Sequence, residues 1–430
     1  MTGGFLTELE RKTLSDNINF TAIRDGRFKN NQISVNFLMP LRKETAALHA
    51  LIPLVLKRGC RPYPNMTLLN RRLKELYGAR LDGGVGKRGE MQVISLYCAA
   101  LDDTYALEGE TLLRECAGLL KSVLFDPIVT DGALSAEDVE VEKKNLADLI
   151  ESQLNDKRHY ASLKAKEAMC AGEAYGVSEY GTAAQALAIT PAALYEAYQT
   201  MLKTAGVEII LVGPADKTEC ESLFAEAFAA VSRGKLLRCV TDVIREPGPV
   251  RTVEERLAVN QAKLVMGFRA GTAAPESEAD TMQLASAILG GTPHSKLFEN
   301  VREKLGLCYY CFSYFERIKG LVFVEAGIEE QNYQKAKDEI LNQLELLKKG
   351  EFSDDELSSA KLSLENSYRE LNDTLYDISS WYLSQAVTGQ IRTPDQTARA
   401  LAGIDRGQIA PTAAKIKLDT VYLLAGERKD

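Results

Sequence analysis

Metal chemistry needs ligands that can converge, and this 430-residue chain has only three histidines, His49, His159 and His294, far apart in sequence. No two of them have the i, i+4 spacing that sets a pair of imidazoles on one helix face. Cys308 and Cys311 form C-x-x-C. The apolar, aromatic stretch from Leu305 to Phe315 suits a strand, where positions i and i+3 face opposite sides, so neither a redox nor a zinc role is expected of the pair. Cys60, Cys98, Cys116, Cys170, Cys220 and Cys239 lie mostly inside apolar stretches, as buried free thiols in a reducing compartment would. Gly84 to Gly89 satisfies G-x-G-x-x-G, but a helix-like segment precedes it and a strand follows. That is the reverse of the strand-to-helix order a dinucleotide site requires, so a plain turn is expected. Nothing reads as G-x-S-x-G or as a cysteine with a motif-placed histidine, which leaves acyl transfer without a candidate.

The elements that would position any site fall into two similar halves. Leu69, Leu73 and Gly78 match Leu297, Val301 and Gly306 at one constant offset, a helix running into a glycine stop in each copy. Strands follow, Gln92 to Leu101 in one half and Leu321 to Ile328 in the other, introduced by Gly89 and Gly320. Ser135 and Ser353 then open long helices with an acid three residues on, and each half closes with a buried-strand run, Val207 to Gly213 and Val421 to Gly426. Near the start, Ile18, Phe20 and Ala22 alternate, Asp25-Gly26 turns, and Ile33, Val35 and Phe37 alternate again, predicting a hairpin. The segment Thr45 to Arg58 is apolar nearly all round and predicts a buried helix, in which Pro53 costs about 3 kcal/mol unless the helix kinks or begins late. The expected organisation is α+β: an N-terminal domain over 1–231, a linker over 232–258 around Glu246-Pro247-Gly248-Pro249, and a C-terminal domain over 259–430.

Composition narrows the function classes. Hydrophobic residues make up 45% and charged residues 26%, ordinary globular values, and no apolar run approaches the roughly 20 residues that span a bilayer. The first twelve residues lack the apolar core of an export signal, so a cytoplasmic protein is expected. A net charge of −8 with no basic block interleaved with aromatics argues against nucleic acid as a partner.

Val301-Arg302-Glu303-Lys304-Leu305-Gly306-Leu307-Cys308-Tyr309, Leu73-Lys74-Glu75-Leu76-Tyr77-Gly78-Ala79 and the helix end at Leu56 to Gly59 resemble landmarks of the M16 zinc peptidases, and the likeness covers essentially the whole chain. It is most like the YmfF-type bacterial members, known as elongation factor P 5-aminopentanol modification-associated proteins, through Arg27-Phe28-Lys29, Arg58-Gly59 with Tyr63-Pro64, and Glu75 to Ala79. The resemblance implies two M16/LuxS-like metallohydrolase-type domains, antiparallel-rich mixed sheets with packed long helices. It also sets the family's His-x-x-Glu-His on Ala50, Pro53 and Leu54, its third ligand on Leu149 and an accompanying acid on Glu142. None of the first four can bind metal, so no zinc or other cofactor is expected. By contrast, the family's substrate-contacting Arg and Tyr fall on Arg302 and Tyr309 with matching spacing. The implied protein is catalytically silent alone and helps hold a peptide or unfolded polypeptide for a zinc-bearing M16 partner in a heterodimer, with a homodimer possible in its absence. The alternative is a non-enzymatic scaffold in elongation factor P modification.

Overall fold

The computed structural model describes residues 8–427, built on two mixed sheets and a small ribbon, Val129–Thr130 with Ala133–Leu134. The first sheet contains β1 (Glu8–Ser15), β2 (Ile18–Arg24), β3 (Asn30–Pro40), β4 (Arg80–Arg88), β5 (Met91–Leu101) and β6 (Gly206–Gly213), in the order β1-β2-β6-β3-β5-β4. Only β2 and β6 run parallel. The second contains β7 (Arg251–Leu257), β8 (Ala262–Arg269), β9 (Cys308–Glu316), β10 (Leu321–Ile328) and β11 (Lys417–Gly426), in the order β9-β10-β8-β11-β7, and only β11 and β7 run parallel. The order β2-β6-β3-β5-β4 thus repeats as β7-β11-β8-β10-β9, parallel pair included, which is the duplication read from the spacing.

Two local expectations give way. Strands β2 and β3 do not form a hairpin, because β6, from far along the chain, lies between them; the hairpin partner of β2 is β1. Residues Gly84 to Arg88 are not a turn but the end of β4, paired with β5 throughout, and only Gly89 takes a left-handed turn conformation, φ +57°. A side chain at Gly83 would put its Cβ 2.6 Å from the Ser95 carbonyl oxygen, so close approach of β4 to β5 accounts for a glycine in a strand.

Strand β3 shows how the first sheet is filled. Ile33, Val35 and Phe37 are wholly buried in the apolar core with Leu51, Ile94, Leu120 and Val139. The opposite face carries Gln32, Ser34 and Asn36, also buried, with Asn36 Nδ2 donating to the Glu208 carbonyl and Ser95 Oγ donating to Asn36 Oδ1 at 2.6 Å. That face is covered by the helix Leu375–Thr388, where Ser379 meets Ser34 at 3.2 Å, and Ser380 and Ser384 accept from Arg88.

The helix comes from the far half of the chain. The compact units are the residues up to Glu151 with Val177–Val240 and Asp373–Ala386, and Ser152–Gly176 with Thr241–Asn372 and the residues from Val387. The change at Val240/Thr241 lies within the stretch expected to link domains, while the segments 152–176 and 373–386 each sit in the unit of the other half, a division with no local signature. Both follow a 17-residue helix, Ala136–Ser152 or Asp354–Glu370. In the second unit the exchanged helix Lys157–Met169 lies on β8 and β11. A Cβ on Gly267 would come 2.6 Å from Met169 Sδ, and the Arg158 guanidinium sits 4.5 Å from the ring centroids of both Tyr310 and Phe312.

Candidate functional site

The helix matched to the zinc motif runs from Ala46 to Leu56 without a late start, with Pro53 inside it and nine of its eleven residues buried. Ala50 and Pro53 are among the buried ones, Leu54 is half-buried, and Leu149, on the helix Ala136–Ser152, is exposed. These four side chains present no nitrogen, oxygen or sulfur donor, so the residues present do not fit a zinc ion. Nor do three or more His, Cys, Asp or Glu side chains gather as a metal site anywhere among the described residues. His49, one residue before the first ligand position, is buried with Nδ1 2.8 Å from Gln92 Oε1, and burial lowers its pKa against the raising effect of that bond. Glu142 is taken up structurally: Arg58 donates to it at 2.7 Å and to Asp138 at 2.5 Å, while Asn145 donates to its other oxygen.

Arg302 and Tyr309 lie in the second unit, on either side of the passage from a helix into edge strand β9. The segment Leu297–Lys304 is wound as a π-helix, with Leu305 N donating to Asn300 O at 3.2 Å, and π-turns are frequent at functional sites. Gly306, at φ +58°, then turns the chain, and its N–H donates to the Arg302 carbonyl. The Arg302 guanidinium stacks 4.6 Å from the Phe298 centroid and pairs with Glu303 at 3.4 Å, leaving the side chain 39% exposed. Tyr309 is 78% exposed. It is the extra residue of a β-bulge: Cys308 pairs with Ile328 and Tyr310 with Gly327, so Tyr309 has no opposite number.

The bulge corrects the reading of C-x-x-C. One inserted residue reverses the alternation, so Cys308 and Cys311 share the face packed on the second unit's apolar core instead of facing opposite sides. The Cys311 thiol favours ionisation of Cys308, which outweighs the effect of burial and is reinforced by Arg302, so the Cys308 pKa falls below its ordinary value. The interaction and burial push buried Cys311 well above its own. The bulge, which sequence reasoning missed, has no local sign beyond two adjacent tyrosines.

The sequence profile described as "Peptidase M16 inactive domain" matches residues 188–364. "Probable inactive metalloprotease YmfF" from Bacillus subtilis (strain 168) is 30% identical over 407 residues, 94% of this chain and 95% of that one. The chain belongs to the M16 peptidase family. Within it, this is a homologue of the inactive metalloproteases. A conserved protein from Enterococcus faecalis V583 superposes with a TM-score of 0.90 at 27% identity, covering 98% of this chain and 99% of that one. A peptidase M16 inactive domain from Pseudomonas fluorescens shares the fold, with a TM-score of 0.78 at 18% identity, covering 98% and 99%. In the first unit of this M16 chain a recess of about 220 Å³ lies between the polar face of β3 to β5 and the helix Leu375–Thr388, lined by Ser34, Asn36, Asp82, Tyr97 and Tyr376. Its only advance sign was the glycine-rich run that became β4. No helix is long and apolar enough to cross a membrane among the described residues.

Proposed function

We propose that this chain is the non-catalytic subunit of a heterodimeric M16-type peptidase, holding an unfolded peptide for a zinc-bearing homologue that carries His-x-x-Glu-His. The observation that carries the reading is Tyr309, a large aromatic left 78% exposed by a bulge at the start of an edge strand, seven residues from a half-exposed arginine. Packing does not account for such a residue, whereas a phenolic donor and a guanidinium fork suit peptide carbonyls. Among the described residues strand β9 pairs only with β10, so its other edge can accept an extended chain by strand addition. The metal and general base that activate water come from the partner, since Ala50, Pro53, Leu54 and Leu149 offer neither. A reducing cytoplasm suits the eight free thiols.

Co-purification from the native source, with mass identification of the bound chain, tests the pairing, and mixing the two purified chains tests the activity. Cleavage of unstructured peptides is expected from the mixture and not from this chain alone. Cleavage by this chain alone, unaffected by a chelator, would overturn the reading. Native complexes without any His-x-x-Glu-His chain would favour a scaffold in elongation factor P modification instead.

A further inference from the structure

We propose that Cys308 and Cys311 are a thiol-exchange site for low-molecular-weight disulfides, with Cys308 the attacking thiol and Cys311 the resolving one. Three features of β9 place the chemistry there. The Tyr309 bulge brings both side chains to one face of the strand, against the same apolar cluster. Their exposure divides the roles: Cys308 is half-buried and open to a small reagent, Cys311 is 5% exposed and reachable only from its neighbour. Strand β9 is an edge, paired on one side only and already irregular at the bulge, so its backbone can shift as the ring closes without breaking a second ladder. Arg302, in the preceding helical turns, favours the thiolate that must attack.

The steps balance. The Cys308 thiolate attacks one sulfur of the disulfide RSSR, forming a Cys308–S–S–R bond and releasing RS⁻. Cys311 gives up its proton to that thiolate and attacks Cys308 Sγ, expelling the second RS⁻, which takes a proton from solvent. Two cysteine thiols become one disulfide as one RSSR becomes two RSH. The remaining cysteines serve as internal controls. Cys98 interacts with Cys116, but both are sealed in the core of the first unit. Half-buried Cys239 has a thiol pushed up by burial to about 11 and bonded to backbone carbonyls.

The test uses the reduced full-length chain and oxidised glutathione. Trypsin cutting after Lys304 and Arg317 releases a peptide holding Cys308 and Cys311 and no other cysteine. After exposure, this peptide is expected to be lighter by two hydrogens and free of glutathione, with dithiothreitol reversing the change, while Cys98 and Cys116 stay reduced. The Cys311→Ser variant is expected to retain one glutathione on Cys308. In wild-type protein at neutral pH, Cys308 should react with iodoacetamide at least ~10-fold faster than Cys239. Equal rates at Cys308 and Cys239, or a wild-type peptide that retains glutathione and never closes, would overturn the proposal. Both readings come from wild-type protein and hold even if the variant fails to fold, and neither depends on peptide binding.

Discussion

Glu173 is the residue whose loss should do most damage to the second unit. It belongs to the exchanged segment Ser152–Gly176, and its carboxylate accepts from Arg269 at 2.7 and 3.1 Å and from Lys319 at 2.6 Å. Asp419 completes the cluster by accepting from Arg269 Nε at 2.8 Å, and the Lys319 ammonium also donates to the Asp242 carbonyl. The side chains of Lys319 and Arg269 are 0% and 3% exposed, so two buried cations are balanced by two buried carboxylates. Glu173→Gln keeps the shape, removes one negative charge and turns an amide N–H₂ toward the cations. Breaking a buried pair in this way costs about 3–5 kcal/mol, and the low end applies because Asp419 and the Asp242 carbonyl remain. With a urea dependence of about 2–3 kcal/mol per M for a unit of this size, the midpoint should fall by about 1 M or more. Hydrogen exchange of β8 and β10 amides across a urea series reads this unit directly; the single tryptophan, Trp381, belongs to the other one. Burial alone would raise the Glu173 pKa, but the bonds from Arg269 and Lys319 outweigh it and the folded value lies below the ordinary 4.5. The stabilisation is therefore present in full above about pH 4.5 and lost as pH falls through the depressed folded value, so wild type and variant should converge in acid. A loss under about 1 kcal/mol at neutral pH, or a gap unchanged in strong acid, would refute the buried-cluster argument.

Three other outcomes are expected. Protein purified without a metal-binding tag should contain no stoichiometric zinc by elemental analysis; one zinc per chain surviving mild chelation would contradict the reading of Ala50, Pro53, Leu54 and Leu149. Arg58→Ala should destabilise the first unit by about 2 kcal/mol, below the fully buried figure because the side chain is 21% exposed, and a double-mutant cycle with Glu142→Gln should give a coupling of at least ~1 kcal/mol. Arg302→Ala and Tyr309→Phe should leave thermal stability unchanged yet lower turnover by the reconstituted pair at least ~10-fold, or ~1.4 kcal/mol; unchanged turnover in both would leave the chain a structural partner only.

What the sequence made legible were features with local causes. Glycine stops at Gly78 and Gly306, both at positive φ, and the capping box of Ser353 with Glu356 mark element ends through nearest-neighbour geometry, so the spacing of the two halves could be read directly. Strand β10 falls where the match between the halves and Gly320 set it. The misses share a different cause. The insertion of β6 between β2 and β3, and the exchange of the helices Lys157–Met169 and Leu375–Thr388, are pairings across about a hundred residues or more that leave no local pattern. In β4, Gly83 lowers strand propensity yet is required because Ser95 and Leu96 crowd it from β5, a tertiary cause overriding a local preference. At the candidate site, the resemblance pointed to Arg302 and Tyr309 but not to the bulge that Tyr309 forms, since a bulge depends on the partner strand as much as on its own residues.

The helix Ala46–Leu56, which the resemblance matches to the family's zinc helix, bears on the kind of function left open. A zinc helix must turn two imidazoles and a carboxylate toward water and substrate, which requires one wet face. Here nine of eleven residues are buried and the position matched to the catalytic glutamate is Pro53, inside the helix. A carboxylate at 53 would be buried, and an imidazole at Ala50, 2% exposed, would overpack the core, each costing on the order of 1–3 kcal/mol or more. The acid at 142 is no freer, since Arg58 and Asn145 occupy both of its oxygens. Restoring the family residue at 50 or at 53 would therefore destabilise the first unit without producing a working centre, because the other ligands would still be lacking. Ala50 and Pro53 have been absorbed into packing, while Leu54 is half-buried and Leu149 exposed. The residues to examine first are polar, exposed and unexplained by packing, which Tyr309 is and Ala50, Pro53 and Leu54 are not.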